Sequence, residues 1–410
     1  MSTFLSALLL QAGYNTAVVC IGAAMLGAAC GTMGVFILLR RQSLASDAAG
    51  HATLPGLALA FIIMALAGGN GRWLPGLMAG AALSAALGLL AIHTLSRHTR
   101  LGEDAAIGAV LSVFFGAGAV LMSVVQALQT GRQAGLSHYL LGSAASMLRA
   151  EAELVAMLAL VAGATLLILR RPLAVLCFDA EYARVLGLRR HLLDLSLSAL
   201  LLALVVTSLK LVGLVLSVAL IIMPAVTARF WANRLHHMVP ASALTGAIGA
   251  YVGAALSSVS HNLPTGALIV LALFGLFLFS LLLAPARGLL ATLIRYLLYR
   301  RRVHRRQGLL AIGRREPIYD GFTLRLLRRT GWIRKDGVPT QAGIDAANAA
   351  GYDEALWALH SQLHPGDAAA LQRYHVLPIS RVLPPDALRR LEQHFLALHP
   401  GSKQMHPHGY

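Results

Sequence analysis

A long uncharged stretch near the N-terminus most constrains how this chain can fold. Residues 15–39 contain no charged side chain, and about 20 apolar residues suffice for a helix to cross the hydrocarbon core of a bilayer. Similar segments recur up to residue 286. We therefore predict an all-α, polytopic membrane protein with eight or nine spans, depending on whether residues 195–228 form two spans or one span and a re-entrant piece. The nine candidates are residues 15–39, 52–71, 73–96, 105–131, 154–169, 195–209, 211–228, 238–258 and 265–286.

The charge distribution predicts the orientation of these spans. Hydrophobic residues make up 57% of the 410 residues and charged residues 12%, whereas soluble domains carry about 25% charged residues. The formal net charge is +17, and the arginines lie next to alternate span ends and after residue 286. Cytoplasmic loops carry such an excess of basic residues. With nine spans, the N-terminus is predicted outside and the C-terminus in the cytoplasm.

Asp47 is the only carboxylate before Glu103. An acidic side chain in the middle of a bilayer costs about 2.5–3.5 kcal/mol on insertion scales, so such a residue usually has a function. On a helix, His51 lies four residues on and on the same face, where a carboxylate and an imidazole could share one cation. Pro55 and Gly56 follow and predict a helix break beside this pair. The simpler interpretation, that Asp47 caps the span and His51 is a satisfied polar residue, is equally open.

The composition changes abruptly after Pro285. The following basic helix is of the kind that lies against anionic headgroups. Farther on, residues 322–330 are amphipathic, residues 331–333 resemble a short strand, and Thr340 is placed to cap the next helix. We predict a transmembrane domain, a basic juxtamembrane linker, a small cytoplasmic helical domain of winged-helix-like type and a flexible tail, at residues 1–290, 291–307, 308–400 and 401–410.

A short segment at residues 178–190 has acidic residues at its start and arginines at its end, which suits the dipole of a helix. By its residues alone it is a capped loop helix. Its pattern is, however, similar to the cytoplasmic coupling helix of ABC importers, which docks into a groove on an ATP-hydrolysing partner. The residues that we assign to this helix are Asp179, Glu181, Ala183 and Gly187.

Three further stretches extend the resemblance, in the same order along the chain. They read LRRQSLASDAAGHATLPG at residues 39–56, LVGLVLSVALIIMPAVTA at 211–228 and HNLPTGALIVL at 261–271. Together with the coupling segment they resemble the manganese, zinc and iron permease family of ABC importers over about residues 15–285. One departure is Asn262, where the family commonly has Asp before Leu-Pro.

The resemblance implies a type II importer fold and a permease subunit that imports a divalent transition metal, manganese, zinc or iron, across a bacterial inner membrane. It implies three protein partners besides the bilayer: an ABC ATPase, an extracytoplasmic metal-binding protein, and a second permease copy or paralogue. It places Asp47 and His51 in the translocation path as metal ligands. The residues expected to break helices near that path are Pro55, Gly56, Pro224 and Pro264.

The chain lacks the glycine-rich P-loop pattern that binds ATP phosphates, and its only lysines are Lys210, Lys335 and Lys403. We therefore expect ATP hydrolysis on a separate chain, no catalytic residues in this one, and no permanently bound cofactor apart from the transported ion.

The C-terminal region resembles the winged-helix and dimerisation regions of iron- or manganese-dependent repressors, at residues 324–347 and 374–392. Where such repressors carry a Glu and a His, this chain has Ile379, Ser380 and Arg381. A degenerate accessory domain is therefore expected, with nucleic acid as an unlikely partner. Two alternatives stay open: a membrane-anchored, metal-responsive transcription regulator, and an importer of a metal chelate.

Overall fold

The computed structural model describes residues 6, 8–9, 11, 13–40, 42–67, 73–127, 149–259, 263–374 and 376–399. The chain forms two compact units, Met1–Leu289 and Leu290–Tyr410. The first unit contains helices α1 (Tyr14–Leu39), α2 (Ser43–Leu66), α3 (Leu74–His98), α4 (Glu103–Ala127), α5 (Arg149–Phe178), α6 (Ala180–Val185), α7 (Arg190–Leu211), α8 (Leu214–Trp231), α9 (Leu235–Ser257) and α10 (Thr265–Leu283).

Eight helices in the described part of the chain are long and apolar enough to cross a membrane, namely α1 to α5, α7, α9 and α10. The prediction of an all-α, polytopic membrane protein is confirmed. The two candidates around residues 195–228 are separate helices, because α7 ends at Leu211 and the shorter apolar helix α8 begins at Leu214. Gly213 in the turn between them has a φ of 86°, a conformation that glycine adopts without steric cost.

The predicted helix breaks at Pro55 and Pro224 are wrong. Helix α2 continues through Pro55 and Gly56 to Leu66, and α8 continues through Pro224. Proline removes one hydrogen bond to the carbonyl four residues earlier, but neighbouring helices make such a loss tolerable in membrane proteins. Pro264 does lie at a helix end, as the residue that precedes α10.

Neighbouring helices of the first unit approach backbone to backbone. A Cβ atom added to Gly56 of α2 would overlap the carbonyl oxygen of Gly80 in α3, and one added to Gly27 of α1 would overlap that of Gly246 in α9. Small residues allow this close approach, which supplies packing energy where the lipid is as apolar as the side chains.

The apolar residues of the first unit form separate cores. One large core joins α1 with α5 to α10. From helices α2 to α4 it includes the buried Ala49, and the partly buried Leu89 packs against it. Two smaller cores lie within the α2–α4 group, one around Phe61 and one around Ile107. Helix α7 contributes to the large core and, through Leu209, to the core around Phe61. The α2–α4 group thus has cores of its own, and helices α7 and α8 contact it from the rest of the unit.

The second unit begins with a 26-residue helix that covers both the basic linker 291–307 and the start of the region 308–400. Ile333 and Pro339 form a β-bridge after the second helix of this unit. The predicted cap is confirmed, because Thr340 Oγ1 accepts a hydrogen bond from the Gly343 N–H at 3.2 Å. The helices are α11 (Leu289–Arg314), α12 (Gly321–Arg329), α13 (Gln341–Leu363), α14 (Ala368–Leu371) and α15 (Pro385–Leu398).

The core of the second unit surrounds Trp357, which is fully buried, and its indole N–H donates to the Leu377 carbonyl at 3.2 Å. Arg306 of α11 contacts two carboxylates of α13, Asp353 at 2.9 Å and Glu354 at 2.7 Å. The single positive charge of this largely buried arginine is shared between the two carboxylates. The tail at residues 401–410 lies outside the described residues.

Candidate functional site

Helix α2 brings Asp47 and His51 together. His51 Nε2 lies 3.4 Å from Asp47 Oδ1, and the two side chains are 20% and 38% exposed, respectively. The prediction that both lie on one helical face is confirmed. Asp47 does not cap the helix, because the residue that precedes α2 is Gln42 and Asp47 lies inside it.

His51 is not a fully satisfied polar residue. Its Nδ1 atom is buried and, among the described residues, has no hydrogen-bond partner. The ring of Phe115 from α4 packs nearly perpendicular to the imidazole, with 5.1 Å between ring centroids. The imidazole is therefore held between a carboxylate and an aromatic ring, and one of its nitrogen atoms remains available.

Asp47 and His51 supply one oxygen-bearing and one nitrogen-bearing side chain. In the described part of the chain, no group of three or more His, Cys, Asp or Glu residues could hold a metal ion. Structural metal sites generally have at least four ligands. The arrangement therefore suits a transient site that is completed by water or by another molecule. Asn262, the departure noted in the sequence, lies outside the described residues.

The segment predicted as a capped loop helix forms α6. The Asp179 carboxylate accepts hydrogen bonds from the backbone N–H groups of Glu181 and Tyr182 at 3.0 and 2.9 Å. Glu181 pairs with Arg184 at 2.7 Å. Gly187 follows with a φ of 73°. The prediction of a capped helix is confirmed.

Helix α6 and the residues next to it carry exposed apolar side chains. Ala183 is buried against the unit, whereas large apolar side chains around it are more than half exposed. Exposed apolar patches mark sites of contact with a protein or with a membrane. The exposed side chains are Phe178, Tyr182, Val185 and Leu186.

A second charged cluster was not found from the sequence. Asp194 of α7 lies 2.6 Å from Arg40, 3.5 Å from Arg190 and 3.9 Å from Arg97. These residues line a cavity of about 250 Å³ together with His93. The spacing of four residues between Arg190 and Asp194 could have predicted their contact on one helix. Arg40 and Arg97 are remote in the chain, so their contacts with Asp194 could not be predicted in this way.

The chain matches the family described as the ABC 3 transport family over residues 14–284. It is 40% identical over 298 residues to the manganese transport system membrane protein MntC of Bacillus subtilis (strain 168), covering 73% of this chain and 67% of that protein. It is 37% identical over 289 residues to the zinc transport system membrane protein TroC of Treponema pallidum (strain Nichols), covering 70% and 94%. Among solved structures it resembles PsaBC from Streptococcus pneumoniae in complex with Fab, with a TM-score of 0.59, 29% identity, and coverage of 70% of this chain and 97% of that one.

Proposed function

Because this chain belongs to the ABC 3 transport family, we propose that it is the membrane permease subunit of an ATP-driven importer of divalent transition metal ions. Its relatives in Bacillus subtilis and Treponema pallidum are named as manganese and zinc transport proteins. Manganese, zinc and iron are the candidate cargoes.

The observation that carries this proposal is the Asp47–His51 pair on a membrane-spanning helix, with His51 Nδ1 buried and, in the described structure, unpartnered. A mixed oxygen and nitrogen site suits manganese, iron and zinc alike. Two protein ligands bind an ion less tightly than a complete cage does, and a transport site must release its ion. Water, or the same pair in a second permease copy, supplies the remaining ligands.

The ATPase is a separate chain and docks on α6. The exposed apolar side chains of α6 fit the mode in which a short helix lays its apolar face into a groove. The residues assigned to this docking helix are Asp179, Glu181, Ala183 and Gly187. Asp179 and Gly187 fix the helix ends, and Ala183 packs the helix against the first unit. An extracytoplasmic metal-binding protein delivers the ion, and a second permease copy or paralogue completes the path.

The arginine-bearing helix ends face the cytoplasm of a bacterium, with the protein in its inner membrane. Arg40 at the end of α1, Arg97 at the end of α3 and Arg190 at the start of α7 meet around Asp194, which supports a common side for these ends. If α8 also crosses, nine crossings place the N-terminus outside and the second unit in the cytoplasm, as an accessory domain that needs no nucleic acid.

The test is uptake of radiolabelled Mn²⁺ into proteoliposomes that contain this chain with its ATPase and binding protein. Asp47→Asn keeps the shape of the side chain and removes the charge, so we expect uptake to fall by at least about tenfold, the scale on which metal sites respond to lost support. Asp104→Asn, at an exposed acidic position in the first turn of α4, is the matched control and should transport within about twofold of wild type.

If Asp47→Asn took up Mn²⁺ at the wild-type rate, Asp47 would not be a ligand in the ion path. Unlabelled free metal and unlabelled chelated metal are then added as competitors. An ion importer is inhibited by the free metal, and a chelate importer by the chelate. A chain truncated at residue 305 separates it from a membrane-anchored regulator, because a permease should still transport without its second unit.

A further inference from the structure

Asp194 joins three helix ends of the first unit. Its carboxylate contacts Arg40, which follows α1, at 2.6 Å, Arg190 in the first turn of α7 at 3.5 Å, and Arg97 in the last turn of α3 at 3.9 Å. The side chains of Asp194 and Arg40 are each 12% exposed. A buried charge is stable only while its partners remain in place. Asp194 therefore connects these three ends, most firmly through the short and largely buried contact with Arg40.

Asp194 is also close in the chain to the helix proposed to dock the ATPase. Helix α6 ends at Val185, and α7 begins at Arg190. Asp194 lies one turn into α7, so a displacement of α6 acts on the base of the helix that carries Asp194. The few residues between the two helices leave little slack for that displacement to be absorbed.

Asp194 is also linked to α2, the helix that carries the Asp47–His51 pair. Arg40 lies two residues before Gln42, the residue that precedes α2. The Gln42 side chain donates to Glu103 at the start of α4, and α4 carries Phe115, which packs against His51. Asp194 is thus linked to α2 through Arg40 and the adjoining chain, and to α4 through the Gln42–Glu103 contact.

The cavity beside Asp194 is not itself the ion site. Ala45 lines the cavity, and Asp47 lies about 200° around α2 from Ala45 at 3.6 residues per turn. The three arginines also repel a divalent cation. The cluster therefore acts on the ion site through the positions of the helices.

We propose that Asp194 is a positioning residue that transmits movement of α6 to the α2–α4 group and so to the Asp47–His51 pair. This inference rests on the proposed importer function. It assigns Asp194 to coupling and not to ion binding. A substitution of Asp194 should therefore lower the transport per ATP hydrolysed without lowering the metal affinity.

The experiment uses the complete importer in proteoliposomes and measures Mn²⁺ transported per ATP hydrolysed, together with Mn²⁺ affinity of the purified permease. For Asp194→Asn we expect the transport-to-hydrolysis ratio to fall at least about fivefold, a size typical of coupling between sites, with Mn²⁺ affinity within twofold of wild type. The matched control is Asp386→Asn, which removes an exposed carboxylate paired with Arg389 in the second unit and should leave the ratio unchanged.

Two further variants keep the test decisive if Asp194→Asn does not fold. Arg97→Gln removes the most distant of the three contacts, from a side chain that is 43% exposed, and should lower the ratio to a smaller extent. Asp194→Glu, which keeps a carboxylate among the three arginines, should retain more of the ratio than Asp194→Asn does.

A wild-type ratio in Asp194→Asn and Arg97→Gln would overturn the inference while leaving the importer function intact. Equal losses of Mn²⁺ affinity and transport would overturn it as well, because they would indicate a general structural role. A wild-type complex that transports no metal would instead refute the proposed function.

Discussion

The helices of the two units begin in different ways. In the first unit, where the starting residues are described, seven helices begin without a side-chain cap, namely α1, α2, α3, α7, α8, α9 and α10. In the second unit, Asp320, Thr340 and Asp367 accept hydrogen bonds from the first N–H groups of α12, α13 and α14. Helix α15 starts differently, with Pro385 at its first position.

The two units also differ in which atoms pack together in their interiors. The first unit relies on close backbone contacts such as Gly56 with Gly80, whereas the second surrounds Trp357 with large side chains and holds Arg306 between two carboxylates. A helix that spans lipid satisfies its backbone internally, and its stability depends on contact with its neighbours. A helix that begins in water gains from a polar cap.

Helix α6 is the exception within the first unit, because Asp179 caps it. Its cap is of the kind found in the second unit, on helices that begin in water. Helix α6 has this cap although it lies between two membrane-spanning helices in the chain. That agrees with its proposed role as the docking helix.

The largest effect should follow from opening a backbone contact in the first unit. In Gly56→Leu the new side chain overlaps the Gly80 backbone, and separating α2 from α3 should lower the yield of monodisperse protein at least about tenfold, since overpacking here has no flexible neighbour to relieve it. Size-exclusion chromatography after detergent extraction measures this. Gly275→Leu is the control, because a Cβ at Gly275 meets no atom within 4 Å. Equal yields would contradict the importance of backbone contact.

A smaller and local effect should follow from Arg306→Met in the second unit. It leaves Asp353 and Glu354 without their cation, which costs about 3–5 kcal/mol for a buried pair. Burial raises the pKa of Asp353, and Arg306 opposes that rise. The pKa should therefore rise further in the variant, so its second unit is least stable at neutral pH and recovers as falling pH protonates Asp353.

Hydrogen exchange of α13 in the full chain measures this effect, with exchange in α1 as an internal reference. The control Arg389→Met removes an exposed ion pair, which is worth at most about 1 kcal/mol. Loss of protection in α1 as well as in α13 would contradict the expectation that the effect stays within the second unit.

The smallest effect should come from a cap. Thr340→Ala removes the hydrogen bond that Oγ1 accepts from the Gly343 N–H and the one that it donates to the Gly331 carbonyl. The loss of the cap should destabilise the start of α13 by about 1 kcal/mol. Faster amide exchange in the first turn of α13, with the rest of the helix unchanged, is the expected result. Val338→Ala, at an exposed neighbouring position, is the control. An unchanged exchange rate of the Gly343 amide would show that this cap does not stabilise α13, and would remove it from the comparison of the two units.

The local features were predictable from the sequence. The shared face of Asp47 and His51 and the cap at Thr340 depend only on spacing along one helix. The helix breaks at Pro55 and Pro224 were predicted wrongly because tertiary packing compensates for one missing hydrogen bond. In the case of Pro55, a Cβ added to Gly118 of α4 would lie within 3.3 Å of the proline nitrogen, which shows how tightly this part of α2 is held.

The Asp194 cluster could not be predicted in this way. Its members Arg40, Arg97 and Asp194 come from three helices, and only the fold brings them to one point. Spacing within a single helix reveals the pair Arg190 and Asp194, which by itself is an ordinary surface pairing. The motifs of the resemblance identified the family, but none of them includes this cluster.

The buried indole of Trp357 offers an optical view of the second unit. The chain has four tryptophans, and Trp357 is fully shielded with its N–H bonded to a backbone carbonyl, whereas Trp73 and Trp231 of the first unit are at least half exposed. A chain that keeps Trp357 alone, with phenylalanine at the other three positions, would emit at short wavelength and resist aqueous quenchers. Its fluorescence would then follow the folding of the second unit while the first unit stays silent in the bilayer.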